Sequence, residues 1–314
     1  MDRVEGSLYS EGLYRRAEPV FHRYLTPLEP HPTDRDPILP ESLPIKALLF
    51  DVYGTLFISG SGDIGVVQKQ NPEHAMRRAM REAGFPLMEE DASYTSIFFS
   101  LIEKHHEARR REGILFPEVD ILEIWKEFIE TLIEEGRFEG ESPSEEDLPL
   151  LAIRYELISN PVFPMPGAEE LLSFLREAGF TLGIISNAQF YTPLLFRHFW
   201  NHFPPSLGFR SDLCIYSFLC GEAKPSRSLF EKARSLLETE GVDPDQVLYV
   251  GNDMRNDIAP AAEVGFRTAL FAGDSRSLRT REEDPSCRGV VPDCVITDLR
   301  ELLSPITATK GVPR

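Results

Sequence analysis

The sequence predicts an α/β protein in which a parallel sheet carries helices on both faces and an all-helical segment is inserted near its start. Two observations point there. From Ala168 onward, stretches with apolar residues three and four apart alternate with short apolar runs, as repeated strand–helix–strand units do. Between an isolated apolar run at Lys46–Val52 and that alternation lie some ninety residues of helical spacing with no convincing strand pattern. The chain has 314 residues, 42% of them hydrophobic and 27% charged, enough for one large core or two modest ones.

Taken in order, residues 1–44 hold Pro19, Pro27, Pro30, Pro32, Pro37, Pro40 and Pro44, a density that argues against regular helix or central strand. They are expected to form an extended arm, with Leu13, Tyr14, Phe21, Tyr24 and Leu25 available to lie along the protein surface. "KALLFDV" is a continuous apolar run of the kind that makes a strand buried on both faces. "SGSGDIG" then reads as a flexible hinge. "EHAMRRAMREAG", "YTSIFFSLIEKHHEARRREG" and "VDILEIWKEFIETLIEEG" read as helices, ending at the boundary "NPVFPMPG". The expected division is an arm at 1–44, a Rossmann-like core at 45–59 and 161–305, and a helical insertion at 60–160. After Ala168 come "AEELLSFLREAG" (helix), "TLGIIS" (strand), "PLLFRHFW" (helix), "DLCIYSF" (strand), "SRSLFEKARSLLETEG" (helix), "QVLYV" (strand), "NDIAPAAEVG" (helix) and "RTALFA" (strand).

A net charge of -18 speaks against nucleic acid as a partner, because a polyanion is repelled unless a local basic patch overrides the field. The one dense basic run, His105–Gly113, has helical spacing and glutamates nearby and reads as a solvated face. Cys214, Cys220, Cys287 and Cys294 show neither a CxxC pair nor zinc spacing, so free thiols are expected. No run approaches the ~18 apolar residues of a membrane span, and the first residues are acidic and polar where a signal peptide is basic and then apolar. A cytoplasmic location is the resulting expectation, with no membrane partner. Nothing in the sequence speaks to oligomeric state.

Ligands of parallel α/β sheets bind beyond the carboxyl ends of the strands, and polar residues collect there. "KALLFDV" delivers Asp51 with Gly54 and Thr55, "TLGIIS" delivers Ser186 and Asn187, and "QVLYVGND" delivers Asn252 and Asp253, with Asp257 one turn on. Lys224 lies in "GEAKPSRSLF", in the loop opening the next helix. A carboxylate at the mouth of an apolar strand is costly unless water, a cation or donors meet it. Asp51 is therefore the candidate nucleophile, since an ionised carboxylate attacks phosphorus or carbon to form a covalent intermediate that water resolves. Attack on phosphate brings like charges together, which calls for a divalent cation, a lysine and hydroxyl donors. Asp253 and Asp257 offer the oxygens that magnesium takes, while Lys224, Thr55 and Ser186 supply charge and hydrogen bonds.

"DVYGTL", "IISNAQ", "EAKPSRSLF" and "YVGNDMRNDI" resemble, in order and context, the four motifs of the haloacid dehalogenase-like (HAD) hydrolase superfamily, and the inserted helices are placed like that family's cap domain. The resemblance covers roughly residues 45–300. It implies Asp51 as nucleophile, the Tyr53 carbonyl as a metal ligand, and Thr55 and Ser186 as phosphate-side donors. Lys224 is then the charge-balancing lysine, Asp253 and Asp257 the acidic metal end with Asp51, and Mg2+ the cofactor. Tyr53 and Asn187 join Thr55 as substrate-binding residues. The expected activity is hydrolysis of a small phosphate ester through an aspartyl-phosphate.

Tyr53 departs from the family's phosphatases, which carry at that place a second aspartate that protonates the leaving group. The order aspartate, tyrosine, glycine, threonine resembles the metal-free dehalogenase branch, whereas "GNDMRND" resembles the metal-binding phosphatases. The fourth motif weighs more, because paired carboxylates beside a nucleophile, without a cation, would raise its pKa and blunt it. A 2-haloacid dehalogenase-type hydrolase and a catalytically weak binding protein stand as the alternatives. His198 and His202, four apart, lack a third ligand and read as a surface helix. Trp125 and Phe128 read as helix core, although a helical face that covers the site gives its aromatic residues a second use.

Overall fold

The protein is described by a computed structural model that covers residues 8–61, 72–88 and 93–310. Six parallel strands form one sheet: β1 Ala47–Phe50, β4 Thr181–Ser186, β5 Phe209–Tyr216, β6 Val247–Gly251, β7 Arg267–Phe271 and β8 Cys294–Ile296, in spatial order β5-β4-β1-β6-β7-β8. The chain builds outward to one side of β1 and then to the other, so strand order reverses at β1. That reversal opens a crevice at the strand's carboxyl end. Phe50 lies level with Ile184 and Val250, which brings the ends of β4, β1 and β6 to one edge.

Alternation along β1 explains why its run is apolar throughout. Leu48 and Phe50 join one core, while Ala47 and Leu49 join another with Leu229, Phe230 and Ala233 on the opposite face. Helices α6 Ala168–Glu177 and α7 Thr192–Trp200 belong to the first face; α8 Ser217–Cys220 follows β5; and α9 Arg227–Glu238 and α10 Ala259–Glu263 border the second.

The insertion folds as α2 Pro72–Glu82, α3 Tyr94–Arg111, α4 Ile121–Glu134 and α5 Leu148–Ser159. Phe98, Trp125, Phe128 and Tyr155 pack edge to face at its centre, with Phe98 5.1 Å from Trp125 and 5.4 Å from Phe128. The basic run on α3 pairs largely with glutamates: Arg109 with Glu112, Arg110 with Glu103, Arg111 with Glu107. It is a solvated face, as expected. A short antiparallel ribbon, β2 Phe57–Ser59 with β3 Val162–Pro164, joins the two ends of the insertion. Asn160 Oδ1 accepts from Ser59 Oγ at 2.8 Å and from Ser61 Oγ at 2.9 Å, fastening that junction. The expected hinge "SGSGDIG" is described only as far as Ser61; the rest lies outside the described residues.

Four expectations need correction. The proline-rich arm contains a helix, α1 Glu11–Tyr24, with Pro19 inside it. Proline removes one hydrogen bond there, and burial of Tyr14, Ala17, Val20, Phe21 and Tyr24 outweighs that loss. The β2–β3 ribbon falls in stretches read as linker, because three-residue strands leave too few positions to show a period. Likewise β8 is too short to stand out, and residues 254–258 form a π-helical turn ahead of α10. After Tyr24 the arm runs extended over the core, where His31 N donates to Asp274 and Thr33 Oγ1 to the Ala272 carbonyl. The four cysteines are unpaired. Among the described residues no helix is long and apolar enough to cross a membrane.

Candidate active site

Asp51 follows the last residue of β1, its N–H bonded to the Val250 carbonyl at 2.9 Å and its side chain buried. Its carboxylate is held asymmetrically. Oδ1 accepts from Ser186 Oγ at 2.8 Å and faces Lys224 Nζ at 2.7 Å. Among the described residues no hydrogen bond occupies Oδ2, so one oxygen is anchored and the other open.

Lys224 bridges two acids. Its Nζ lies 2.5 Å from Asp257 Oδ1 and 3.2 Å from the Tyr249 hydroxyl, with all three side chains buried. Burial alone would lower the ammonium's pKa; Asp257 and then Asp51 more than reverse that and hold it above the ordinary lysine range. Asp257 moves the other way from a surface carboxylate. Burial, against the pull of Lys224 and aided by Asp51 and Asp253, pushes it up to about 7. Its Oδ2 accepts from the N–H groups of Asn252 at 3.0 Å and Asp253 at 2.9 Å. Gly251 makes that close approach possible, since a Cβ there would stand 2.5 Å from Asp257 Cγ.

The loop carrying Lys224 is fixed by Asn187, which accepts from Lys224 N at 2.7 Å and donates to its carbonyl at 3.3 Å. Thr55 Oγ1 donates to Asn252 Oδ1 at 3.2 Å, and the Asn252 amide donates to Ser277 O at 2.6 Å. Gly54 turns the chain at φ +85, and a Cβ there would stand 2.7 Å from Ser277 Cβ and 2.8 Å from the Asn252 amide nitrogen. The structure therefore gathers Asp51, Ser186, Lys224 and Asp257 at the sheet edge, with Thr55 and Asn187 binding its loops together.

Two of the expected residues point elsewhere. The Tyr53 hydroxyl lies 2.8 Å from Thr192 Oγ1, and burial pushes its phenol far above the ordinary range, so it is a poor proton donor or base at neutral pH. Asp253 caps the π-helical turn through the N–H groups of Arg255 and Asn256 and holds Arg281, whose Nη2 is 2.6 Å from Oδ2. Magnesium takes about six oxygen ligands in near-octahedral geometry. Asp253 is paired with a guanidinium and Asp257 with Lys224 and two N–H groups; of the expected set of Asp51, the Tyr53 carbonyl, Asp253 and Asp257, Asp51 Oδ2 is the carboxylate oxygen left open in this arrangement, and magnesium, which keeps several waters, is commonly held through one or two carboxylates. No group of three His, Cys, Asp or Glu among the described residues is placed to hold a metal.

The sequence reading missed Tyr249 and Arg281. Tyr249 sits within a buried strand and reads as core; Arg281 sits in the charged run "RTREED" and reads as surface. Neither has a local signal, because each acts across a long sequence separation. His198 and His202 form no metal site: His198 packs against Phe21 and His22 of α1, with ring centroids 5.2 and 5.1 Å away.

Above the edge, the segment before α4 clasps the core loops. Ala223 N donates to Phe116 O, Glu118 N to Gly221 O, Ser217 Oγ to Glu118 Oε2, and the Gln189 amide to Val119 O. Between them lies a cleft of about 310 Å3 whose lining includes Phe98, Trp125 and Tyr155 from the helices and Asn187, Tyr191 and Ala223 from the core. Two carboxyl groups, Glu118 and Glu156, also line it, and burial raises the pKa of both.

A doubly wound sheet with its acids, hydroxyl and lysine at the switch point defines a hydrolase-type site. The chain belongs to the haloacid dehalogenase-like hydrolase family, whose model matches residues 45–265. It is 26% identical over 268 residues to a glyceraldehyde 3-phosphate phosphatase of Methanothermobacter thermautotrophicus, covering 82% of this chain and 98% of that one. A protein of the same description from Methanopyrus kandleri is 28% identical over 265 residues, covering 82% and 96%. A 2-haloacid dehalogenase structure from Pseudomonas syringae pv. Tomato DC3000 superposes with a TM-score of 0.51 at 20% identity, covering 82% of this chain and 96% of that one. That last likeness concerns the fold.

Proposed function

We propose that the protein is a phosphatase that cleaves a small phosphate ester through Asp51. The observation that carries this reading is the asymmetric hold on the Asp51 carboxylate: one oxygen tied to Ser186 and Lys224, the other open at the strand end. Oδ2 attacks phosphorus, the bond to the leaving oxygen breaks, and water then attacks the aspartyl-phosphate and restores the carboxylate. Lys224 and Ser186 stand beside the attacking carboxylate and offset the negative charge that gathers there as it meets the phosphate. Asn187 and Thr55 keep the loops of Lys224 and Asn252 in register. Tyr53, held by Thr192, is not the acid in this scheme, so the leaving oxygen takes its proton from water or a second group. The inserted helices serve as the cap that selects substrate, consistent with their clasp on the core loops.

The near full-length similarity to two proteins named glyceraldehyde 3-phosphate phosphatase favours phosphate over halide. The expected magnesium requirement stands apart from this scheme, because Asp253 is engaged by Arg281. A dehalogenase reading draws support from Tyr53 alone. One assay separates the readings: free phosphate from a panel of phosphate esters, with magnesium and with EDTA, and chloride from 2-chloropropionate. Asp51→Asn should lower phosphate release on the order of 10⁴-fold or more, as loss of a covalent nucleophile does, with an unchanged circular dichroism spectrum. Chloride without phosphate would transfer the site to carbon chemistry.

A further inference from the structure

The loop that follows β7, residues 272–281, has two sides, and hydrogen bonds tie each to a different part of the molecule. Its outer side carries the arm. Thr33 Oγ1 donates to the Ala272 carbonyl at 2.6 Å, His31 N to Asp274 Oδ1 at 3.1 Å, Ser275 N to the His31 carbonyl at 2.7 Å, and the Arg276 guanidinium to the Glu29 carbonyl. Its inner side carries the loops of the active site. The Asn252 amide donates to the Ser277 carbonyl at 2.6 Å, Ser277 Oγ to the Gly54 carbonyl at 3.4 Å, and Arg279 N to the Asn252 carbonyl at 2.9 Å. Asp274 is the joint between the two sides. Its side chain is wholly buried, and it receives the His31 N–H from the arm and the N–H and guanidinium of Arg276 from the loop. A buried carboxylate is costly unless donors and a counter-charge meet it, and the arm supplies one of those donors.

The contacts run on to the reacting groups without a break. Asn252 Oδ1 receives Thr55 Oγ1, and its N–H holds Asp257 Oδ2 at 3.0 Å. Asp257 Oδ1 in turn lies 2.5 Å from the Lys224 Nζ that faces Asp51 at 2.7 Å. Gly54 has no room to spare against the loop, since a Cβ there would stand 2.7 Å from Ser277 Cβ, so a shift of Ser277 is passed to the turn that begins at Asp51. We infer that residues 29–33 of the arm are a positioning element of the active site: through Asp274 and Ser277 they hold the Gly54 turn and Asn252 where Asp51 and Lys224 need them. The inference rests on Asp51 as the reacting carboxylate. Asp274 and Ser277 are positioning residues, acting through Gly54 and Asn252. Leu278 packs against the apolar cluster of Met254, Ile258 and Leu270, which keeps the loop folded when a polar tie is cut. The ties therefore set where the loop sits. The arm lies outside the family match, which begins at residue 45, so this support is additional to the four motifs.

The test uses the full chain. Phosphate release from 4-nitrophenyl phosphate, or from the ester of the panel that turns over fastest, gives kcat and KM, and hydrogen exchange is followed at the Gly54 and Asn252 amides. Asp274→Ala cuts the joint. It should lower kcat by about 10-fold or more, towards the ~10²-fold that a misplacement of roughly 1 Å costs, and leave KM within about 2-fold. It should also speed exchange at Gly54 and Asn252, whose N–H groups are bonded to the Phe57 carbonyl and Asp257 Oδ2. Asp274→Asn keeps an acceptor for the His31 N–H and should return kcat to within about 3-fold of the parent. Leu237→Ala, at the far end of α9, opens a cavity in the second core and controls for stability alone; its kcat should stay within about 2-fold. An unchanged kcat in folded Asp274→Ala, or a fall that Leu237→Ala shares, would overturn the inference and leave the phosphatase reading standing. Should Asp274→Ala fail to fold, Thr33→Val removes the donor to the Ala272 carbonyl and carries the same test, with kcat falling about 3-fold. If no ester releases phosphate, the phosphatase reading fails and exchange decides. Faster exchange at Gly54 and Asn252 in Asp274→Ala than in Leu237→Ala upholds the positioning role, and equal exchange overturns it.

Discussion

The edge of the sheet and the N-terminal helix α1 both use charged residues, and they use them in opposite ways. At the edge, Lys224 sits between Asp51 and Asp257 with all three side chains buried, and every contact is short. On α1, Glu11 pairs with Arg197 at the protein surface and Arg23 with the half-buried Glu82, while Tyr14, Ala17 and Phe21 lie buried beneath. Exposed pairs of this kind contribute at most about 1 kcal/mol. The helix is therefore held by its apolar face, against α5 of the insertion and α7 of the core. The edge is held by electrostatics that burial makes costly to break. Thus α1 ties the inserted helices to the core through apolar contacts, whereas the edge concentrates buried charge at a cost in stability.

This contrast can be broken at either end. Lys224→Met should cost the most: removing one member of a buried ionic trio leaves two carboxylates uncompensated, a loss of about 3–5 kcal/mol together with loss of phosphate release. Chemical denaturation and the phosphate assay would read the two effects. Retained activity in that variant would remove Lys224 from the reaction.

Phe21→Ala should cost about 3 kcal/mol, as truncating a fully buried aromatic does, yet leave the sheet edge untouched. Denaturation should show the loss, while kcat at a permissive temperature stays within about 2-fold of the parent, far inside the 10²–10⁴-fold that removal of a reacting group produces. A collapse of kcat with folding intact would mean that α1 sets the position of the inserted helices over the site.

Acid sharpens the same distinction. Burial would raise the Glu82 carboxyl, but Arg78, the Tyr24 hydroxyl and Arg23 outweigh it and hold it at about 2, below its ordinary 4.5. A depressed acid stabilises the folded state above its unfolded pKa, and that contribution disappears as pH falls from about 4.5 towards 2. The attachment of α1 should therefore loosen over that window. Hydrogen exchange of α1 amides would show it, and Glu82→Gln should flatten the dependence.

The smallest effect expected is on magnesium. Asp253→Asn should change magnesium affinity by less than about 2-fold in calorimetric titration, because Arg281 already occupies the carboxylate; loss of a true ligand carboxylate would weaken it far more. A large loss of affinity would mean that the Arg281 pair opens to admit a cation.

Much of this protein was legible in its residues alone. The strands "TLGIIS" and "QVLYV", the helices of the insertion, and Asp51, Ser186 and Lys224 at one edge were readable because each depends on local period or on a strand's own carboxyl end. What only the tertiary structure decided has the opposite character. Proline counts argue against α1, and its existence rests on burial against helices that lie more than a hundred residues away in the chain. Tyr53 and Asp253 occupy their motif positions, but Thr192 and Arg281 set where those side chains point. Glu118 carries no local signal, and it comes to rest against Ser217 only because the segment before α4 folds back on the core loops. Sequence determines what a residue can do through its chemistry and its neighbours in the chain. Partners distant in the chain determine which of those capacities is left free.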